Sequence, residues 1–167
     1  MTAGTDAPPP RPADGGRWLS EALRLATDNV AAGGGPFGAL VVRGDDVLAT
    51  GTNRVTRDCD PTAHAEVVAI RAACRRIGDF RLDGCVLVTS CEPCPLCLAA
   101  ALWSRVGEVL YAADRHDAAA AGFDDLAFYE LFETPRDAWP LPVRRVAVEA
   151  HRAPFDAWAA DAGRAEY

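Results

Sequence analysis

The spacing of apolar residues marks the first element of the chain. Residues 1–16 contain four prolines and almost no apolar side chain, so we expect a disordered leader there. From Trp18 to Val30, apolar residues recur every three or four positions, which predicts an amphipathic helix. The glycine- and proline-rich stretch 33–36 is expected to end this helix.

Short apolar runs rich in β-branched residues alternate with further helical patterns over the rest of the chain. Strands are predicted at 37–43, 47–53, 85–90, 106–113 and 143–150. Further helices are predicted at 63–77, with Thr62 as N-cap and Gly78 as C-cap, at 93–104, at 126–132, and in the closing segment from residue 153. This alternation predicts an α/β protein with three α/β/α layers around a mixed sheet of about five strands, formed by residues 17–167 as a single domain.

Composition fits one self-sufficient domain in a reducing setting. With 167 residues, of which 50% are hydrophobic, the chain can bury a core without disulfides. No basic segment leads into an apolar run at the N-terminus, and no apolar stretch reaches the roughly 18 residues that a membrane span needs. We therefore expect a cytoplasmic protein without a membrane partner, in which cysteines serve as metal ligands or catalysts.

Charge argues against a nucleic-acid partner. The formal net charge is -7, and the acidic residues are spread along the chain. The short basic runs are two arginine pairs, at 75–76 and 144–145, which do not form the clustered basic face that a polyanion needs.

Four residues at two predicted helix starts carry the chemistry. Cys94 and Cys97 are three apart at the start of one helix, so they share a face and can bind one ion. His64 and Glu66 open the helix that begins some 30 residues earlier, and in a first turn both can reach a site off the helix end. The positive end of a helix also stabilises thiolates.

One histidine and two cysteines leave the fourth position of a tetrahedral zinc ion open to water, which is typical of a catalytic site. Glu66 is then a natural proton carrier beside it. The combination of H-x-E with P-C-x-x-C resembles the signature of the zinc deaminases. The alternative stays open that His64 caps a helix and that the cysteines are buried apolar residues.

The remaining cysteines need no catalytic role. Cys91 falls at a strand-to-helix junction, and a fourth sulfur ligand would close the zinc site, so we expect it to pack beside the ion without binding it. Cys74 and Cys85 are expected in the core, and Cys59 lies in a polar loop without an assignable role.

Several stretches resemble a known family. The chain is similar to the bacterial guanine deaminases of the cytidine-deaminase-like superfamily from Trp18 to Tyr167, in the stretches "GGPFGALVV", "CDPTAHAEVVAIRAAC", "TSCEPCPLCLAA", "AGFDDLAFYEL" and the terminal "APFDAW" and "EY". "PTAHAE" and "SCEPCP" also resemble segments of tRNA adenosine and cytosine deaminases. The resemblance implies the three-layer fold and one Zn²⁺ per chain on His64, Cys94 and Cys97, with Glu66 shuttling protons.

The resemblance also implies a substrate site. Asn53 would hold a purine by hydrogen bonds, Phe37 and Trp103 would form apolar walls, and Asp125 would bind the guanine edge. Tyr167 would close the active site of a partner subunit. Each has a plainer interpretation: Asn53 as a turn residue, Phe37 and Trp103 as core aromatics, Asp125 as a helix N-cap, and Tyr167 as a frayed end.

Asp124 competes directly with Asp125 for the role at the guanine edge, since the two are adjacent. The implied reaction converts guanine and water to xanthine and ammonia, with zinc-bound hydroxide as nucleophile. The implied assembly is a homodimer that exchanges the C-terminal segment 151–167. The alternatives are a deaminase of another small amino-heterocycle or nucleoside (guanosine, ammeline, cytosine or cytidine), a tRNA adenosine deaminase, and a zinc-stabilised interaction domain without activity.

Overall fold

The computed structural model describes residues 15–166 of the chain. Most of the predicted leader and Tyr167 lie outside the described residues. The first helix begins at Gly15, where the sequence pattern predicts the last two residues of the leader. The chain divides into two compact units, of which the first ends at Leu131 and the second begins at Phe132.

The first unit contains a four-stranded sheet, whose strands are β1 (Gly38–Arg43), β2 (Asp46–Thr52), β3 (Val86–Cys91) and β4 (Glu108–Ala113). The helices up to the unit boundary are α1 (Gly15–Ala31), α2 (Val55–Asp58), α3 (Ala65–Ile77), α4 (Pro95–Trp103), α5 (Arg115–Ala120) and α6 (Asp125–Phe132). The second unit contains a 3-10 helix (Arg136–Ala138) and α7 (Ala153–Ala160). None of the described helices is long and apolar enough to cross a lipid bilayer.

The strand order is β2-β1-β3-β4. β1 pairs antiparallel with β2 and with β3, whereas β3 pairs parallel with β4, so the predicted mixed sheet is confirmed. The described residues form four strands and not about five, because the segment 143–150 is not a strand. Its residues Val146 and Val148 alternate as in a strand, but they and Val143 are exposed, since alternation alone does not supply a neighbouring strand to pair with.

Helices cover both faces of the sheet, which confirms the predicted three layers. On one face, Leu40 and Val42 of β1 join a buried cluster with Trp18 and Ala22 of α1. On the other face, the buried cluster takes alternate strand residues together with α3 and α4, namely Ala39, Val41, Leu87, Ala65, Ala69, Ala73 and Ala101. The period-two alternation of β1 therefore separates the two helical layers.

The start of α3 differs from the prediction by two residues. His64, and not Thr62, is the N-cap, in extended conformation with φ −65° and ψ 153°. Thr62 instead donates two hydrogen bonds to Asp60 Oδ1, from its backbone nitrogen and from its hydroxyl, so an Asx turn uses it before the helix begins. The predicted end of the helix at Gly78 is confirmed, with φ 72°.

A glycine brings α3 close to the sheet. A Cβ atom at Gly51 would lie 2.2 Å from the carbonyl oxygen of Ala65 and 2.6 Å from the backbone nitrogen of Ala69. Only glycine allows β2 to approach the first turns of α3 so closely, and the N-terminus of α3 is thereby fixed beside the sheet.

Candidate active site

Three potential metal ligands meet at the N-termini of α3 and α4. His64 is the N-cap of α3, Cys94 is the N-cap of α4, and Cys97 lies in the first turn of α4. His64 Nδ1 lies 3.5 Å from each of the two Sγ atoms, and the Sγ atoms of Cys94 and Cys97 lie 3.6 Å apart. His64 is half-buried and both cysteines are buried. The sequence brings these three residues together as predicted.

This triangle has the dimensions of one face of a zinc tetrahedron. Zinc bonds of about 2.3 Å to sulfur and about 2.0 Å to nitrogen place tetrahedral ligand atoms about 3.6 Å (nitrogen to sulfur) and about 3.8 Å (sulfur to sulfur) apart. The observed separations agree within a few tenths of an ångström. Among the described residues the metal-ligating group contains only these three side chains, so the donor set fits an open, catalytic type of zinc site.

The charges of the group also suit a cation. The hydrogen bond between the two sulfur atoms lowers the pKa of Cys94 to about 4 and raises the pKa of Cys97. The hydrogen bond with Cys94 raises the pKa of His64. The thiolate form of Cys94 is therefore favoured, and a bound cation would also favour the thiolate form of Cys97.

Glu66 lies in the first turn of α3 beside this group. It is 5% exposed, and the hydroxyl of Thr89 donates a hydrogen bond of 3.3 Å to its Oε1. Burial raises the pKa of Glu66. A carboxyl group in this position can hold a proton and pass it on, as the H-x-E spacing predicts.

Cys91 lies at the end of β3 and outside the metal-ligating group of the described residues. Its thiol donates to the carbonyl oxygen of Asp114 at 3.5 Å, and burial raises its pKa to about 11. A protonated thiol held by a carbonyl is a poor ligand, which agrees with the expected packing role. All six cysteines are free thiols. Cys85 is buried in the core cluster between the sheet and α3, Cys74 is half-buried against that cluster, and Cys59 is exposed.

The predicted substrate residues occupy different environments. Asn53 follows β2, is half-buried, and accepts a 3.3 Å hydrogen bond from the backbone nitrogen of Val55 at Oδ1. Phe37 is half-buried and packs edge-to-face on Phe123, with ring centroids 4.8 Å apart. Trp103, at the end of α4, is 62% exposed, so it is not a core aromatic in this chain.

Asp125 and Asp124 are distinguished by their surroundings. Asp125 is half-buried in the first turn of α6, whereas Asp124 is exposed. Burial raises the pKa of Asp125, and the charges of Cys94 and His64 also act on it. Asp125 is thus the half-buried member of the pair, and the charges of the metal-ligating group affect its pKa. Tyr167 lies outside the described residues.

A polar network that sequence reasoning missed supports the loop between β3 and α4. Glu92, 13% exposed, accepts hydrogen bonds from Arg115 Nε at 3.0 Å and Nη2 at 2.5 Å. The Arg115 guanidinium lies 3.6 Å from the centre of the Tyr129 ring, and the Tyr129 hydroxyl donates to the carbonyl oxygen of Pro93. The sequence carried a signal for this network: Glu92 lies between Cys91 and Cys94, and a carboxylate in a buried loop needs a cationic partner.

Comparison with known proteins agrees with this geometry. Residues 14–113 match the cytidine and deoxycytidylate deaminase zinc-binding region. The chain is 48% identical to a guanine deaminase of Bacillus subtilis over 151 residues, which are 90% of this chain and 97% of that protein. A crystal structure of guanine deaminase from Bacillus subtilis superimposes with a TM-score of 0.88 and 48% identity, covering 91% of this chain and 98% of the other.

Two further relatives share part of the chain. A guanine deaminase structure from Nitrosomonas europaea superimposes with a TM-score of 0.64 at 37% identity, over 72% of this chain and 69% of the other. A tRNA-specific adenosine deaminase of Aquifex aeolicus is 40% identical over 96 residues, which are 58% of this chain and 64% of that protein. The family resemblance inferred from the motifs is confirmed, and this chain belongs to the cytidine and deoxycytidylate deaminase zinc-binding family.

Proposed function

We propose that this protein is a zinc-dependent guanine deaminase, which converts guanine and water to xanthine and ammonia. The observation that carries the hydrolytic reaction is the three-ligand group with the buried carboxyl of Glu66 beside it. The likeness to the Bacillus subtilis guanine deaminase covers 97% of that protein, whereas the likeness to the tRNA-specific adenosine deaminase covers 64% of that protein. That difference in extent supports guanine over adenosine in tRNA as substrate.

His64, Cys94 and Cys97 are the proposed ligands of the zinc ion. A zinc ion bound there would act as a Lewis acid and lower the pKa of a water molecule, so that hydroxide would be available near neutral pH to attack C2 of guanine. Glu66 takes the proton of the attacking water at its carboxylate and gives it to a ring nitrogen beside C2. The Glu66 carboxylate then takes the second proton, from the hydroxyl group now on C2, and gives it to the exocyclic amine, so that ammonia leaves and xanthine remains.

Asn53 and Asp125 are the proposed polar contacts of the purine. An amide and a carboxyl group together offer donors and acceptors to the guanine edge, and an incorrect base would leave them unpaired. Phe37 and Trp103 are proposed as apolar walls. Asp125 is partly desolvated, and the charges of His64 and Cys94 affect its pKa. This position supports the assignment of Asp125 over that of Asp124.

The proposed assembly is a homodimer that exchanges the C-terminal segment 151–167 and brings Tyr167 to the partner subunit's active site. Two features support it. Among residues 15–166, the strand β4 is an edge of the sheet and the segment 143–150 pairs with no strand. Apolar side chains of the second unit are also exposed, including Leu141, Val143, Val146, Val148 and Phe155 at 55–77%. A second copy of the chain would cover such a surface.

The proposed setting is the reducing cytoplasm, because the site needs thiolates and all six cysteines are free. The partners proposed are a small purine and a second subunit, and not nucleic acid. The net charge of -7 supports that restriction.

Ammonia release separates this function from its alternatives. The zinc-loaded protein is assayed with guanine, guanosine, cytidine, adenine and ammeline under the same conditions. We expect guanine to be the best substrate. Faster release from another compound would reassign the substrate, and no release from any of them would contradict an enzymatic role.

A further inference from the structure

Asn29, near the end of α1, is a buried polar residue that the mechanism above does not use. It is 8% exposed. Its Nδ2 donates to the carbonyl oxygen of Gly35 at 2.8 Å and to the carbonyl oxygen of Asn53 at 2.9 Å. One carboxamide therefore joins the end of α1, the loop before β1, and the residue after β2, and its two donors are both satisfied.

The glycine run 33–35 provides the space that two carboxamides occupy. A Cβ atom at Gly34 would lie 2.3 Å from Asn29 Nδ2. A Cβ atom at Gly35 would lie 3.2 Å from both Cγ and Oδ1 of Asn53. The run thus does more than end a helix, because a Cβ atom at Gly34 would collide with Asn29 and one at Gly35 would crowd the side chain of Asn53 by a few tenths of an ångström.

The carboxamide of Asn53 is held in one orientation. Its backbone nitrogen donates to the carbonyl oxygen of Phe37 at 3.1 Å, and its Oδ1 accepts from the backbone nitrogen of Val55 at 3.3 Å. In the described part of the chain, no protein acceptor takes the Nδ2 group of Asn53. The Oδ1 atom keeps one acceptor position, because an amide oxygen has two lone pairs, and the Nδ2 group is available to a ligand as an N–H donor.

We propose that Asn29 is a positioning residue for the substrate: it fixes the main chain of Asn53, so that the Nδ2 of Asn53 is directed at a carbonyl or ring-nitrogen acceptor of the purine. This inference rests on the proposed function. Asn29 acts through the carbonyl groups of Gly35 and Asn53 and is not part of the metal-ligating group. Its loss should weaken substrate binding while the zinc ion and the proton transfer of Glu66 remain.

The test is Asn29→Asp, which keeps the shape of the side chain but replaces both donors with oxygen. The matched control is Asp28→Asn, the reverse change at the adjacent residue, whose side chain is 62% exposed. We expect KM for guanine to rise about tenfold in Asn29→Asp, the equivalent of one lost hydrogen bond, with kcat changed less and about one zinc per chain. The control should match the unaltered protein.

Two further variants keep the test decisive. Gly35→Ala retains Asn29 and pushes the Asn53 side chain directly, so it should raise KM even if Asn29→Asp does not fold. In an Asn53→Ala background, Asn29→Asp should have little further effect on KM, because the residue that it positions is gone.

Unchanged KM in folded, zinc-loaded Asn29→Asp and Gly35→Ala would overturn the positioning role while leaving the proposed function intact. An undiminished effect of Asn29→Asp in the Asn53→Ala background would also overturn it. If the unaltered protein does not deaminate guanine, the proposed function fails first, and the substrate contact assigned to Asn53 fails with it.

Discussion

Cys91 and Cys94 are three residues apart, yet their sulfur atoms have different partners. Cys94 Sγ lies 3.5 Å from His64 Nδ1, whereas Cys91 Sγ donates to the carbonyl oxygen of Asp114. The strand β3 ends at Cys91 and the helix α4 begins after Cys94, so the chain turns between them. This turn keeps the third sulfur away from the metal-ligating group, so that a zinc ion bound there would have three protein ligands.

Zinc content after cysteine substitution tests this arrangement. Cys94→Ala removes one of three proposed ligands, so the purified protein should lose most of its zinc. Cys91→Ala removes only a weak hydrogen bond to a carbonyl group and should keep about one zinc per chain. Metal analysis of both variants, with the unaltered protein as reference, makes the comparison. Equal loss of zinc from the two variants would show that the ligands are misassigned.

Glu66→Gln tests the proton carrier. The amide has nearly the same shape but cannot take up and release the proton, so turnover should fall about 10²- to 10⁴-fold. Zinc content should stay near one per chain, because Glu66 is not in the metal-ligating group. Steady-state kinetics and metal analysis are done on the same sample. Near-normal turnover would remove Glu66 from the mechanism.

Arg115→Gln tests how far the ion pair with Glu92 stabilises the loop between β3 and α4. Without Arg115, the Glu92 carboxylate is 13% exposed and unpaired, which should lower the free energy of unfolding by about 1–3 kcal/mol. For a chain of this length that corresponds to a fall in Tm of about 2–4 °C per kcal/mol. Glu92→Gln, which keeps the shape of the side chain but removes the charge and one acceptor oxygen, is the matched variant and should lower the free energy of unfolding less, because Arg115 is more exposed, at 31%, than Glu92.

The same ion pair predicts a pH dependence. Arg115 lowers the pKa of Glu92 below its ordinary value of 4.5. The stabilisation is therefore complete at neutral pH and is lost as the pH falls through the lowered pKa. The difference in Tm between the unaltered protein and Arg115→Gln should shrink at pH values below 4.5. A difference that is constant from pH 7 into that acid range would contradict the charge interaction.

Deletion of residues 165–167 tests the closing role of Tyr167. Guanine turnover should fall while zinc content stays unchanged, because the deletion leaves the metal-ligating group intact. Deletion of residues 1–10 from the predicted leader is the control at the other end of the chain and should leave the kinetics unaltered. If the C-terminal deletion also retains normal kinetics, Tyr167 does not contribute to the active site.

Much of the fold follows from local patterns in the sequence. The apolar run of β1 and the helical spacing of α1 each follow from which residues are buried, so their positions are predicted to within three residues. The short helix α2 and the helix α5 escaped prediction because their few residues carry little apolar periodicity. The segment 143–150 shows the opposite failure: its pattern is that of a strand, but a strand forms only where a neighbour provides hydrogen bonds.

The metal-ligating group was predictable because His64 and the pair Cys94 and Cys97 each lie at the start of a helix. There the spacing along the sequence determines which side chains share a face. The N-cap of α3 was predicted two residues too early. Thr62 donates its hydrogen bonds to Asp60 in a turn before the helix, and His64 is the N-cap. Asn29 could not be found from sequence, because its importance depends on two carbonyl groups, of Gly35 and Asn53, that the fold brings to one point.

The central claim is that the metal-ligating group and Glu66 perform hydrolytic deamination of guanine. The most direct measurement follows xanthine and ammonia together, with guanine as substrate, before and after a chelator removes zinc from the protein and zinc is returned. The account predicts equal amounts of xanthine and ammonia, loss of both on removal of zinc, and recovery of both on its return. Absence of xanthine with the zinc-loaded protein, or turnover that is unaffected by removal of zinc, would contradict it.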